Sequence, residues 1–351
     1  MAESAVRPLA QVQRFARLPV WPVWAGVMEW SLEQVGLRGA AAWLEERCGG
    51  RVTPMFLRPE QTDPFLLMVH HRHSFLPWDP IRPLSALVLP EGFPAHPHRG
   101  FETVTYVLAG GMRHRDSTGV KMTYRAGSVQ WLTAGRGVLH EEMWVNEPSA
   151  RQQELYQIWV NLPRAEKLTT PEVQLLGPAE LEAGAAQVAA PLPLPEHQAD
   201  GVAVKVLAGA VEGVRSPLRT RSPITILHLS LAEVGQTWAW DDLPPTHTAL
   251  FHVRRGAVEV AGETVGSGAT ALFERGAELP ARLAFTAIAP DTELLLLTGQ
   301  PLGEPVAMGG SMVMSTDAEV EQAYRDFQAG AFGPVWSHRS SDADWLARLG
   351  R

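Results

Sequence analysis

Two stretches of this 351-residue chain restrict its fold more than anything else in it. The first reads Phe93-Pro-Ala-His96-Pro-His98-Arg-Gly-Phe-Glu102-Thr-Val-Thr-Tyr-Val-Leu108 and the second Thr133-Ala-Gly-Arg-Gly-Val-Leu-His140-Glu141-Glu142-Met-Trp144. From Phe101 onward the first is rich in β-branched and aromatic residues and reads as a strand. Residues two apart in an extended chain share a face. His96 and His98 therefore project together, on the side of Glu102, Val104, Tyr106 and Leu108 if no bulge intervenes. Beyond the histidines that face is apolar, as the inside of a small barrel requires. In the second stretch the glycines make a turn, after which His140 and Glu142 share one face while Glu141 points away.

Two strands that each offer such a pair can converge on one point inside a barrel. Three imidazoles and one carboxylate make a mixed nitrogen and oxygen set, which suits iron(II), manganese, copper or nickel better than magnesium or calcium. With four protein ligands, an octahedral ion keeps positions open for water, substrate or dioxygen. Taken singly, a His-Pro-His is usually a turn and a His-Glu-Glu a solvated face; the matching parity and the glycine turn are what join them. Parity alone leaves open which glutamate coordinates, because Glu102 shares the phase of His96 and His98.

The rest of the chain reads as all-β in its main parts. Residues 1–50 form an N-terminal extension, 51–177 a first, metal-binding β block, 178–200 a linker, 201–314 a second β block and 315–351 a short helix and tail. Turn signals at Ala109-Gly110-Gly111 and Asp116-Ser117-Thr118-Gly119 break the first block into short strands. Pro178, Pro191, Pro193 and Pro195 mark the linker, and the second block repeats the β pattern around Ile224, Ala249 and Glu293. Two β blocks of similar length point to two barrels rather than alternating β and α units. The second should be metal-free, since His228, His247 and His252 are scattered and form no spaced pair. Within the extension the spacing predicts a helix over Leu32 to Arg47, with Trp21, Trp24 and Trp30 packing the extension onto the barrel. Near the end, Thr316 and Glu319 make a capping box, Val320, Ala323, Tyr324 and Phe327 an apolar stripe for a barrel wall, and Gly330 a stop.

Composition narrows the function. The net charge is −8 with no sustained run of Lys or Arg, which argues against direct nucleic-acid binding by phosphate neutralisation. The single cysteine, Cys48, allows no internal disulfide and no cysteine zinc cluster, as suits a reducing compartment. No stretch approaches the ~20 apolar residues that span a bilayer. The expectation is a soluble, cytoplasmic protein without a membrane partner, nuclear or organellar placement staying open for a eukaryotic chain. Arg7, Arg14 and Arg17 resemble a transit peptide only in charge, for the segment is not Ser-rich.

Residues 93–143 closely resemble the first barrel of the pirin family of bicupins, which carries the string HPHRGFETVTYVL and later TAGRG followed by His-x-Glu. Here the matches are His96 to Leu108, His114-Arg-Asp-Ser117 and Gln130 to Gly137. They continue through Gln157 to Leu162, Gly299 to Val306 and Met314 to Gly333, so the resemblance covers residues 50–333. It implies a bicupin, two cupin-type β-barrels of the double-stranded β-helix kind. The ligands fall on His96, His98, His140 and Glu142, which favours Glu142 over Glu102, and the metal is iron(II) first, with copper, manganese, nickel or cobalt as substitutes. It further implies a quercetin 2,3-dioxygenase-type oxidoreductase acting with dioxygen on a small flavonol-like aromatic, with Glu142 or Glu102 accepting the substrate's proton. The alternative within the family is an iron-dependent redox-sensing protein that binds a protein partner as a transcription co-regulator. A metal-dependent isomerase or hydrolase of the wider cupin type has no residue in its favour beyond the site itself. The chain departs from the family pattern in its first 50 residues and after Asp63-Pro-Phe-Leu-Leu67. There His70, His71 and His73 offer either an accessory site at the cavity mouth or a packing or surface loop.

Overall fold

The computed structural model of the protein describes residues 5–145, 151–182, 188 and 190–351. The start of the extension (1–4) and part of the linker (183–187 and 189) lie outside the described residues. The alternating β-branched and aromatic runs become short strands, and every ladder between them is antiparallel. The chain divides into two compact units.

The first unit comprises Ala16–Phe56, Leu67–Pro193 and Glu304–Arg351. A five-stranded sheet runs in the order Ala179–Leu181, Lys121–Arg125, Gly111–Asp116, Val138–Trp144, Gly92–His98. A seven-stranded sheet is centred on Val129–Thr133, Phe101–Ala109, Gln152–Asn161 and Phe65–Ser74. Their facing side chains, among them Val107, Met112, Met122, Tyr124, Leu132, Trp144 and Leu155, form one core.

The helix expected over Leu32 to Arg47 is two helices, Val23–Gln34 and Arg38–Cys48. Gly36 breaks them apart in the left-handed region at φ +79°, which costs glycine nothing. Trp21 is 7% exposed and packs into the core, and Trp24 donates its indole N–H to Asp79 at 2.7 Å. Trp30 does not pack as expected and is 57% exposed, because the helix buries its Ala25, Gly26 and Glu29 stripe instead. That stripe is anchored by the Glu29–Arg51 ion pair at 3.2 Å.

At the other end, helix Asp317–Gln328 carries the capping box on Thr316 and Glu319 and sets Val320 and Ala323 against Leu139, Met312 and Met314. A second helix, Asp342–Arg348, buries Trp345 in the same cluster; its Ser341 cap was not signalled by any long apolar stripe. No helix among the described residues is long and apolar enough to cross a membrane.

The second unit comprises Met1–Phe15, Leu57–Leu66 and Leu194–Gly303. Its seven-stranded sheet and its four-stranded sheet (Thr237–Trp240, Leu283–Ala287, Ala257–Val260, Glu263–Gly266) enclose Val204, Leu227, Leu229, Phe251, Phe273, Phe285 and Leu296. The N-terminal extension is therefore divided. Leu9–Arg14 pairs with Ala269–Phe273 and covers what would be an open sheet edge. The Arg7 guanidinium, fully buried, donates to the carbonyls of Leu243 (2.8 Å), Pro280 (3.1 Å) and His247 (3.2 Å). Arg7→Ala would strip three carbonyls of a charged donor, so it should lower the stability of this unit by roughly 2–4 kcal/mol. Urea unfolding followed by tryptophan fluorescence measures it.

Candidate metal centre

The glycine turn before the second ligand pair is a tight one. Gly135 and Gly137 lie at φ +50° and +130°, and a Cβ on Gly137 would sit 2.4 Å from the Phe332 ring. The turn delivers Val138–Trp144 alongside Gly92–His98, with His140 opposite His96 and Val138 opposite His98. The register slips between His140 and Glu142, which places Glu142 opposite Phe93. The irregularity therefore falls at Pro94 and Ala95, upstream of the ligand pair, and leaves the shared face of His96 and His98 intact.

Three of the expected ligands come together. Ring centroids are 4.6 Å apart for His96 and His98, 4.5 Å for His96 and His140 and 4.8 Å for His98 and His140. One nitrogen of each lies within 4.8 Å of the others. Glu142 lies beside His140 in a second group of the same radius, completed by His114. His114 was not among the sequence candidates. It faces Glu142 directly across the ladder between Gly111–Asp116 and Val138–Trp144, and the signal that could have found it is its own spacing to Asp116. Glu102 is in neither group. The chain turns a corner at Gly100 (φ +82°), where a Cβ would lie 2.0 Å from the Val313 carbonyl. Phe101–Ala109 therefore belongs to the other sheet, and the parity that ties His96 to His98 does not carry across. The Glu102 carboxylate accepts the Thr133 hydroxyl at 2.6 Å. Glu141 points away as expected, to Arg115 (2.5 Å) and the Trp336 indole N–H (2.9 Å).

The donor set fits a transition metal. His98 and His140 are buried; neither ring nitrogen of His140 has a hydrogen-bond partner among the described residues, and His98 has only the Ser311 backbone beside it. Buried polar atoms are ordinarily paired, and each neutral imidazole carries one N–H and one lone pair, so each ring keeps a lone pair that a cation can take. His96 Nδ1 meets the Pro94 carbonyl at 2.8 Å; a carbonyl only accepts, so the proton is on Nδ1 and Nε2 presents a lone pair. Burial pushes the pKa of His96 below, and those of His98 and His140 well below, the usual imidazole range, which keeps them in the neutral form that ligates. Glu142 Oε1 accepts from Thr105 (3.0 Å), Gln130 (3.0 Å) and the Tyr124 hydroxyl, and Oε2 from Gln157 (3.0 Å). Burial and the Glu142 charge raise the Tyr124 pKa well above its ordinary value, so it stays a donor.

The other histidines have different surroundings. His70 stacks on Tyr156 (4.3 Å) and meets Glu154 at 2.9 Å. His71 packs edge-on to Phe93, and His73 packs on Trp144 with Nδ1 at 3.2 Å from the Trp21 carbonyl. They sit on the buried strand Phe65–Ser74 rather than on a surface loop, and among the described residues they join no three-ligand group. In the second unit His228 pairs with Glu293 (3.3 Å) and His252 with Thr270 (2.9 Å).

Residues 51–160 match the Pirin family description and residues 227–333 the Pirin C-terminal cupin domain. Pirin-1 of Arabidopsis thaliana is 37% identical over 76% of this chain and 82% of its own length, and mouse Pirin 34% identical over 81% and 88%. The chain belongs to the pirin family. Its fold is a mostly-β bicupin, and the crystal structure of quercetin 2,3-dioxygenase from Acinetobacter baumannii superposes with a TM-score of 0.70 at 28% identity, covering 95% of this pirin and all of that chain.

Protonation opposes this arrangement. The folded pKa values of His98 and His140 lie below the unfolded value of about 6.5, and burial takes His73 down to about 3. Below about pH 6.5 the unfolded chain binds protons that the folded one refuses, so stability falls as pH falls through that value. The metal-free protein should show a urea midpoint that drops from pH 7 to pH 5, with a smaller drop in His98→Gln.

Proposed function

We propose that this pirin holds one divalent transition metal, iron(II) first, through His96, His98, His140 and Glu142, and acts as a quercetin 2,3-dioxygenase-type oxidoreductase on a planar hydroxylated aromatic. The observation that carries the proposal is the group of three histidines, two of them buried, with one ring nitrogen of each within 4.8 Å of the others, set in a bicupin similar to a solved quercetin 2,3-dioxygenase. A bound ion would supply Lewis acidity and open coordination positions for substrate oxygen and dioxygen. The chain's own residues account for the rest. Thr105, Tyr124, Gln130 and Gln157 fix the Glu142 carboxylate, and Oε2, which has a single donor, is the oxygen best able to take the proton of a substrate hydroxyl. Phe101 and Trp159 flank His98 at centroid distances of 5.0 and 5.7 Å and keep bulk water from it. His96 is the only partly exposed member of the histidine group, so the substrate approaches on its side. Glu102 accepts the Thr133 hydroxyl and belongs to neither ligand group, which favours Glu142 for the proton-accepting role.

One observation favours the regulatory reading. The ligand strand Val138–Trp144 is tied on its outward residues to the C-terminal tail, Leu139 packing beside Trp336 and Trp345 and Glu141 bonding Trp336. A change at the ion therefore has a direct route to a surface element. The deciding assay is oxygen uptake coupled to loss of quercetin absorbance, with iron-, copper-, manganese-, nickel- and cobalt-loaded protein. His98→Ala should lose stoichiometric metal and more than about 100-fold of the activity. Equal rates in every metal form and in His98→Ala would remove the catalytic reading and leave the metal-sensing one.

A further inference from the structure

We propose that His114 is a further metal ligand, and that His114, His140 and Glu142 form a second seat for the ion that overlaps the three-histidine seat and shares His140 with it. The proposal rests on reading this barrel as a metal centre. His114 Nε2 lies 3.0 Å from Asp116 Oδ2. Asp116 Oδ1 is itself locked, accepting from the Thr118 N–H (2.8 Å), the Thr118 hydroxyl (2.6 Å) and the Val120 N–H (3.1 Å). A carboxylate so held is an acceptor, so the imidazole proton resides on Nε2 and Nδ1 carries a lone pair. That Nδ1 is buried and no described residue donates to it.

Its surroundings are electron-rich. A ligand atom of His114 lies within 4.8 Å of a Glu142 oxygen and of a His140 nitrogen. The four Glu142 donors are spent on its own Oε1 and Oε2, so none of these bonds goes to His114. Imidazole lone pairs and a carboxylate brought this close in a buried interior repel one another, and a cation placed among them satisfies all three. The carboxylate–histidine arrangement at Asp116 and His114 is the one that orients imidazoles toward metals and raises their basicity. Donor atoms around an ion at bond lengths of about 2.1 Å stand about 3–4 Å apart, so each group needs only small side-chain adjustments to close.

The two seats are built across two different ladders of one sheet. The His96 and His98 seat spans Gly92–His98 and Val138–Trp144, whereas the His114 seat spans Val138–Trp144 and Gly111–Asp116. His140, on the middle strand, belongs to both. An ion can then lose the partly exposed His96 to an incoming ligand and still be held by His114, His140 and Glu142.

Cobalt(II) alone is the probe, followed by its ligand-field absorbance and by elemental analysis in the full-length protein. His96→Ala should still hold close to one cobalt per chain, about tenfold more weakly and with a changed spectrum. His96→Ala combined with His114→Ala should bind cobalt at least a further tenfold more weakly, and His140→Ala should hold none. His114→Gln, which can keep a bond to Asp116, replaces His114→Ala if far-UV circular dichroism shows the latter unfolded. The second seat is overturned if His96→Ala alone binds no cobalt while the unaltered protein does. It is equally overturned if adding the His114 change to His96→Ala leaves affinity and spectrum as they were. Absence of cobalt binding in the unaltered protein sinks the metal centre itself, and the second seat with it.

Discussion

A carboxylate buried inside a barrel is the constraint on which the rest of this structure depends. Glu142 is fully buried, and taking a charge of that size out of water costs several kcal/mol even after relaxation. Four donors from four strands, Thr105, Tyr124, Gln130 and Gln157, converge on it. A hydrogen bond to a charged group contributes about 1.5–3 kcal/mol, so four of them match the penalty. The same four donors are spent on the carboxylate, so none of them serves the neighbouring imidazoles, whose lone pairs are left for a cation.

The strand Val138–Trp144 carries this arrangement on one face and a second one on the other. His140 and Glu142 look inward, while Leu139 and Glu141 look out to the cluster of Trp336, Trp345 and helix Asp317–Gln328. Arg115 joins Glu141 to Asp342, so the outer face is also charged and paired. All seven residues of this strand are buried, which is unusual for an antiparallel strand with one face normally wet. A displacement on either face is felt on the other because neither side has solvent to yield into.

The strand periods and the two spaced pairs were legible in the sequence because they rest on local geometry. An i, i+2 spacing fixes the face whatever the rest of the chain does, and the glycine turn at Gly135 and Gly137 starts the second pair in phase. What was not legible is what depends on corners and on distant chain. Glu102 lost its phase because Gly100 turns the strand into the other sheet, and a glycine that bends a strand looks in sequence like one that merely interrupts it. His114 was hidden because its role comes from its cross-strand register with Glu142. Trp30 looks like an anchor by composition, yet the helix chose Ala25, Gly26 and Glu29, small residues and an ion pair that let it approach closely.

Consecutive blocks of sequence also fail to describe how the chain is shared out. Leu9–Arg14 completes a sheet whose other strands begin near residue 196, while the segment after residue 304 packs in the first unit. Pairing Leu9–Arg14 with Ala269–Phe273 closes a loop of more than 250 residues, and loop-closure entropy grows only as the logarithm of length. The thermodynamic cost of the exchange is therefore modest, while its kinetic cost is larger, since non-local pairings form slowly. The same holds for the ligand strand. Its inner face can assemble from residues 92–144, but its outer face waits for Trp336 and Asp342 nearly 200 residues later. The geometry of the candidate metal centre is thus local in its donors and global in its packing.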